Sequence, residues 1–173
     1  MDIAVNILMT VATAATPLLI AAIGELVVER SGVLNLGVEG MMIMGAVCGF
    51  GAAYYTGSPW LGVLAAILAG ALFSLLFAFM ALTLATNQVA TGLSLTILGL
   101  GLSGMIGTSF VGLPGVRLPS LFIPGLTDLP VVGRLLFGQD PLFYASIALV
   151  LAVSWFLFRT RRGLMLRSIG DSH

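Results

Sequence analysis

The polar residues best placed to do chemistry lie in one short stretch, Gly24-Glu-Leu-Val-Val-Glu-Arg-Ser-Gly-Val-Leu-Asn-Leu-Gly-Val-Glu-Gly-Met-Met42. It carries Glu25, Glu29, Arg30, Asn35 and Glu39 between two apolar runs, so its charges sit at a membrane boundary. Glu39 is the deepest of them, already inside the second apolar run. A carboxylate within a membrane segment is costly and is by default a functional candidate. The structural alternative gives it a partner, either Arg30 or the backbone N–H groups at a helix N-terminus, which favour negative charge. Glu25 and Glu29 are four apart, as are Asn35 and Glu39, so each pair is expected to share a helix face.

Two further stretches carry polar groups. In Asn87-Gln-Val-Ala-Thr-Gly-Leu-Ser-Leu-Thr96, Gln88, Thr91 and Ser94 recur every three residues as a narrow stripe on an apolar helix. Amide and hydroxyl groups of this kind suit hydrogen bonding to a polar solute crossing the membrane. They equally suit bonding to neighbouring helices, at about 1 kcal/mol each. The tail, Arg159-Thr-Arg-Arg-Gly-Leu-Met-Leu-Arg-Ser-Ile-Gly-Asp171, mixes arginines with Leu164, Leu166 and Ile169. That mixture predicts a short amphipathic helix at the membrane surface. It serves either as an anchor drawn to anionic membrane lipid or as a docking element for a cytoplasmic partner.

Enzyme chemistry finds no constellation here. The sole histidine is His173, and the single cysteine, Cys48, lies in an apolar run and reads as a small packing group. No cluster suits zinc, and no Gly-rich loop ending in Lys-Ser/Thr suits nucleotide phosphates. The glycines Gly99, Gly101 and Gly104 match a dinucleotide fingerprint in spacing but fall inside an apolar helix rather than a strand-to-helix turn. No catalytic, cofactor or metal residue is therefore expected, and any ATP must bind a partner. Lysine is absent and seven arginines balance seven acids, so no basic field exists for nucleic acid.

The elements that position these residues follow from hydropathy. Of 173 residues 59% are hydrophobic and 8% charged, with mean hydropathy +1.14; soluble domains carry about a quarter charged residues. A spanning helix needs about 20 mostly apolar residues. Five runs qualify: Ile3–Ile23 with Pro17 as a kink, Leu36–Tyr55, Trp60–Leu84, Gln88–Phe110 and the shorter Leu142–Phe158. The expected fold is an all-α polytopic bundle of about five spans, one transmembrane domain over 1–173. The run at Ile3 lacks a basic leader, so it is expected to be retained rather than cleaved. Tyr54, Tyr55 and Trp60 are placed like interfacial aromatics. Val111–Pro141, with Arg117, Asp128, Arg134 and Asp140, reads as an aqueous loop holding short surface helices.

Arg159, Arg161, Arg162 and Arg167 follow the last span and mark that end as cytoplasmic. Five alternating spans then put the N-terminus outside, with Arg30 inside and Arg117 and Arg134 outside.

Small residues define how the spans meet. Gly62, Ala66, Gly70, Ser74 and Ala78 recur every four residues in the third span, and Gly45, Gly49 and Ala53 do so in the second. Gly92, Thr96, Gly99, Ser103 and Gly107 alternate by four and three in the fourth. Such seams let backbones approach closely in lipid. Met41, Met42 and Met44 read as gap fillers.

The chain resembles permease subunits of ABC importers for nucleosides and simple sugars, within the wider group that also serves ribose and branched-chain amino acids. The resemblance is carried by Gly24-Glu25…Glu29-Arg30-Ser31-Gly32-Val33-Leu34-Asn35-Leu36-Gly37-Val38-Glu39-Gly40-Met41-Met42, by Asn87-Gln88-Val89-Ala90-Thr91-Gly92, and by the tail Thr160–Asp171. It implies a pair of permease subunits forming the path, a cytoplasmic ABC ATPase pair and an external solute-binding protein, in the cytoplasmic membrane of a prokaryote. Residues 159–173 look like the start of the loop that couples ATPase to permease. Arg161, Arg162, Gly163, Arg167, Gly170 and Asp171 would lie at the ATPase contact. Glu25, Arg30, Asn35 and Glu39 would brace the inner end of the core helices. The family pattern continues with further spans, so this chain is expected to be the N-terminal half of a longer permease.

Two other classes suit the composition. A secondary transporter or channel would use the Glu39 charge, but the spans offer no second acid or histidine for a proton relay. A non-transporting membrane scaffold would use the small-residue seams for assembly alone.

Overall fold

The computed structural model describes residues 2–121 and 138–170. Its helices are α1 (Asp2–Glu29), α2 (Val38–Thr56), α3 (Pro59–Ala78), α4 (Gln88–Gly107), α5 (Pro141–Arg159) and α6 (Arg161–Gly170). A π-helical turn, Phe79–Thr83, extends α3, and a 3-10 turn, Thr108–Phe110, extends α4. Five segments are long and apolar enough to cross a membrane: Val5–Glu29, Val38–Thr56, Pro59–Thr83, Gln88–Phe110 and Pro141–Arg159. The described residues are thus helical with no strand among them, and the chain is a multi-pass membrane protein. Ile67, Leu72, Leu75 and Leu151 stand exposed on helix surfaces, as expected where the surrounding solvent is hydrocarbon.

Two boundaries differ from the hydropathy reading. First, α1 continues past the expected end at Ile23 to Glu29, which gives Glu25 and Glu29 the shared helix that their spacing suggests. Helical backbone satisfies its own polar groups, so acids at a span's aqueous end need not break it. The helix closes where Ser31 N donates to Val28 O and Gly32 N to Glu29 O, with Gly32 at φ 82°. Second, α2 starts only at Val38, so Asn35 precedes the helix and shares no face with Glu39. Of the Val111–Pro141 loop, residues 111–121 form no helix beyond a turn. The expected surface helices, with Asp128 and Arg134, lie outside the described residues.

The chain divides into two compact units, Met1–Gly32 with Leu118–His173, and Val33–Arg117. In the second, α2 and α3 form an antiparallel hairpin turned at Gly57 (φ 68°), Ser58 and Pro59. The predicted seams meet there. A β-carbon built on Gly62 would lie 2.8 Å from Gly49 O and from Ala53 Cβ, and one on Gly45 3.3 Å from Ala66 O. The far half of the α3 seam is unused within the unit: nothing lies within 4 Å of a β-carbon on Gly70, and Ser74 is exposed.

The opposite face of α2 meets α4 in parallel. A β-carbon on Gly99 would lie 2.7 Å from Gly40 Cα, and one on Gly40 2.8 Å from Thr96 Cα. Side chains at either position would force the two backbones apart. Phe77, Ala81 and Leu95 form the buried cluster beneath, with Val33, Met41 and Phe73 against it. At the other end Phe110 seats on Gly51. Its ring meets Phe50, Tyr54 and Tyr55 edge-on, at centroid separations of 5.5, 6.3 and 5.9 Å.

In the first unit α1 packs along α5. Thr13 Oγ1 lies 3.3 Å from Gln139 Oε1, and Leu121 N donates to Gln139 O at 3.2 Å. The hydroxyls of Thr10, Thr13 and Thr16 each donate to the carbonyl four residues back in α1.

Candidate functional site

In the second unit the irregular connection Val33–Gly37 is held by α4. Leu34 N donates to Gln88 Oε1 at 2.8 Å, and Thr96 Oγ1 donates to Leu36 O at 2.9 Å. Between these two bonds Gly92 removes any side chain, because a β-carbon there would lie 2.7 Å from Leu36 N. Asn35 is buried, and its Oδ1 accepts from Gly37 N at 2.9 Å, closing an Asx turn immediately before α2. Irregular backbone between two spans leaves polar groups outside any helical ladder, and these need partners. Gln88, Asn35 and Thr96 meet three of them.

This arrangement separates the three residues predicted to line a solute path. Gln88 is engaged with Leu34. Thr91 is buried, donating to Asn87 O at 2.8 Å and lying 2.8 Å from the Thr86 hydroxyl. Ser94 is exposed, its hydroxyl bonded to Ala90 O. The four predicted bracing residues also divide. Glu25 and Arg30 belong to the first unit, Asn35 and Glu39 to the second. Glu39 is exposed in the first turn of α2, where the N-terminal dipole favours a carboxylate.

In the first unit the tail forms the predicted amphipathic helix, α6. Thr160 starts it: Gly163 N donates to Thr160 Oγ1 at 3.0 Å, a side-chain N-cap. Gly163 is buried so tightly that a β-carbon there would overlap Phe156 O, and would lie 2.8 Å from Leu157 Cα. The corner between α5 and α6 is consequently closed and fixed. Arg167 lies over the Phe158 ring, 5.1 Å from its centroid, a cation–π contact. Gly170 reaches the end of α1, where a β-carbon would lie 2.5 Å from Arg30 O and 3.0 Å from Gly32 N.

Gly163, Leu166, Arg167 and Gly170 therefore make the inner face of α6, at helical spacing. Its outer face presents exposed Arg161 and Arg162 beside Leu164, Met165 and Ile169, which are 59%, 64% and 62% exposed. Asp171 lies outside the described residues. Sequence reasoning missed the Thr160 cap, the Thr96–Leu36 bond and the Phe110 cluster. Only the first had a local signal, a threonine directly before a helical run.

Among the described residues no group of three His, Cys, Asp or Glu is gathered to hold a metal ion.

Residues 7–173 match the family model described as "Branched-chain amino acid transport system / permease component". The chain is 40% identical over 175 residues to the TsgC13 ABC transporter permease protein of Haloferax volcanii, provisionally named for glucose; the match covers 99% of this chain and 53% of that protein. It is 41% identical over 171 residues to the guanosine ABC transporter permease protein NupQ of Bacillus subtilis, with 91% and 53% covered. It is 35% identical over 170 residues to the nucleoside ABC transporter permease protein NupC of Lactococcus lactis subsp. cremoris, with the same two shares. The chain thus spans about half the length of the curated relatives it matches. No solved structure matches it at comparable significance.

Proposed function

The chain belongs to the branched-chain amino acid transport system permease component family, and from that premise we propose that it forms part of the membrane path of an ATP-driven importer for nucleosides or simple sugars. Two of the three relatives are named for nucleosides or guanosine and one for glucose. These solutes share hydroxyl-rich rings without net charge. A path for them needs no charged ligand, which fits the scarcity of ionised groups in the spans.

The observation that carries the reading is the outer face of α6. It sets exposed Leu164, Met165 and Ile169 beside Arg161 and Arg162, a mixed apolar and basic surface that suits a protein partner. The partner proposed is a cytoplasmic ABC ATPase, with α6 on the cytoplasmic side of a prokaryotic inner membrane and the N-terminus of α1 outside. A second permease subunit and an external solute-binding protein complete the proposed assembly. No covalent step occurs on this chain. ATP binding moves the ATPase pair, α6 moves with it, and the helix bundle opens alternately to either side.

The test is a mild-detergent pulldown of tagged protein, alongside a variant with Arg161→Glu and Arg162→Glu. Co-purification of an ATPase with the first and its loss with the second supports the reading. A folded protein that retains no ATPase, or whose solute uptake follows an ion gradient without ATP, would overturn it.

A further inference from the structure

The end of α2 and the 3-10 turn after α4 gather four aromatic rings within one unit, Val33–Arg117. Gly51 provides the room. A β-carbon there would lie 2.9 Å from Phe110 Cζ, so the missing side chain is the seat for that ring. The rings of Phe50, Tyr54 and Tyr55 stand at 63°, 65° and 69° to it. Phe50 and Tyr54 are parallel to within 5°, at 6.4 Å between centroids. The chain then turns at Gly112 (φ 80°) and returns to Phe50, whose Cε2 would lie 3.3 Å from a β-carbon on Gly115. Phe50 and Phe110 are thereby half-buried, while Tyr54 stays exposed and Tyr55 is 76% exposed.

Single tyrosines and tryptophans at a span end are ordinary interfacial anchors. Trp60 is such a case: it is exposed in the first turn of α3 and meets no ring among the described residues. The α2 cluster differs. Half of its rings are phenylalanine, which has no polar tip to hold at an interface, and each of the other three meets Phe110.

The surroundings select the guest. No charged residue occurs between Glu39 and Arg117, so the cluster suits a ring without net charge. Aromatic rings held by one another offer π-faces at little entropic cost, and the two tyrosine hydroxyls can donate to or accept from a polar edge. A nucleobase has both features, a planar π-face and a polar edge, and any base can stack in this way. A simple sugar has no aromatic face to offer.

We propose that Phe50, Tyr54, Tyr55 and Phe110 form a stacking platform for the base of a nucleoside, at the end of α2 remote from the Val33–Gly37 connection. Tyr55 touches the base, and Gly51 and Phe110 hold the neighbouring rings in place. The proposal rests on the importer reading for the solute and for the orientation that puts this end outside, where a solute enters.

The test is photolabelling of the whole chain in nanodiscs with azidoguanosine, followed by mapping of the labelled peptides. Label is expected on the peptides carrying Tyr54, Tyr55 and Phe110, displaced by excess guanosine and not by the same excess of glucose. Tyr55→Leu should cut this label about tenfold, the loss of one base stack. Tyr55→Phe keeps the ring and should keep most of the label, and Trp60→Leu should leave it unchanged. Tyr55 is exposed, so its replacement does not disturb the packed rings. Label spread without preference, or unaffected by Tyr55→Leu, would overturn the platform and leave the four rings as an interfacial anchor. Displacement by glucose as effective as that by guanosine would overturn the assignment to a base. The labelling needs no ATPase, so it judges the platform separately from the pulldown that judges the importer reading.

Discussion

The amide N–H of Leu34 donates to the side-chain oxygen of Gln88 across 54 positions of sequence, at 2.8 Å. Gln88, expected from the sequence to line a solute path, also holds the connection that leads into α2. Gln88→Leu leaves the Leu34 N–H without that partner and is expected to cost about 0.5–1.5 kcal/mol. Gln88→Glu keeps an acceptor oxygen and should stay near the unaltered stability. Equilibrium unfolding in mixed micelles compares the two. Equal stability for both, with altered solute selectivity, would return Gln88 to the path.

Gly99 and Gly101 occupy the same helix in opposite surroundings. Gly99→Ala drives a methyl group into the Gly40 backbone and is expected to destabilise by about 1–3 kcal/mol. Gly101→Ala meets nothing within 4 Å, and alanine's better helix propensity should stabilise by up to about 1 kcal/mol. The same unfolding measurement must therefore give opposite signs two residues apart.

Ala85 is the one described non-glycine residue with positive φ, at 49°, directly after the π-helical turn. An L-residue there carries a steric cost of roughly 1–2 kcal/mol. Ala85→Gly relieves it and, after the added freedom of the unfolded chain, should stabilise by about 0.5–1 kcal/mol. Ala85→Val, branched at Cβ, should destabilise. A shift of both in the same direction would contradict the conformation.

On α6 the arginines and the cap should separate function from stability. Thr160→Val removes the acceptor for Gly163 N and is expected to cost about 1 kcal/mol. Arg161→Ala with Arg162→Ala alters only exposed groups, so unfolding should move by less than about 0.5 kcal/mol. ATPase retention in a pulldown should nevertheless drop for the arginine pair. Retention unchanged by that pair would remove these residues from the docking surface.

The spans were legible in the sequence because a lipid solvent demands long apolar runs, and the five runs match five helices within a few residues. The seams were legible too, since Gly45, Gly49 and Gly62 meet where a four-residue period places them. Hydropathy ended the first span at Ile23, six residues before the helix ends, because charge reports solvent rather than backbone conformation. Asn35 and Gln88 were legible as polar residues in apolar surroundings, but their roles depend on a fold that carries α4 to the Val33–Gly37 connection. Gly163 and Gly170 were assigned to the ATPase contact by resemblance, and no local signal in the sequence pointed to their close packing against Phe156 and Arg30. The π-helical turn at Phe79–Thr83 left no signal in composition or period.

The first unit is assembled from both ends of the described chain, and this sets an order on its biogenesis. Val33–Arg117 is continuous, so α2, α3 and α4 can associate as soon as they leave the ribosome. α1 enters the bilayer before α5 and waits for it: the Thr13–Gln139 contact spans 126 positions. During that wait its hydroxyls need no neighbour, because Thr10, Thr13 and Thr16 bond to carbonyls of their own helix. A helix polar enough to pack late, yet internally satisfied enough to survive alone in hydrocarbon, can wait for a partner helix synthesised more than a hundred residues later.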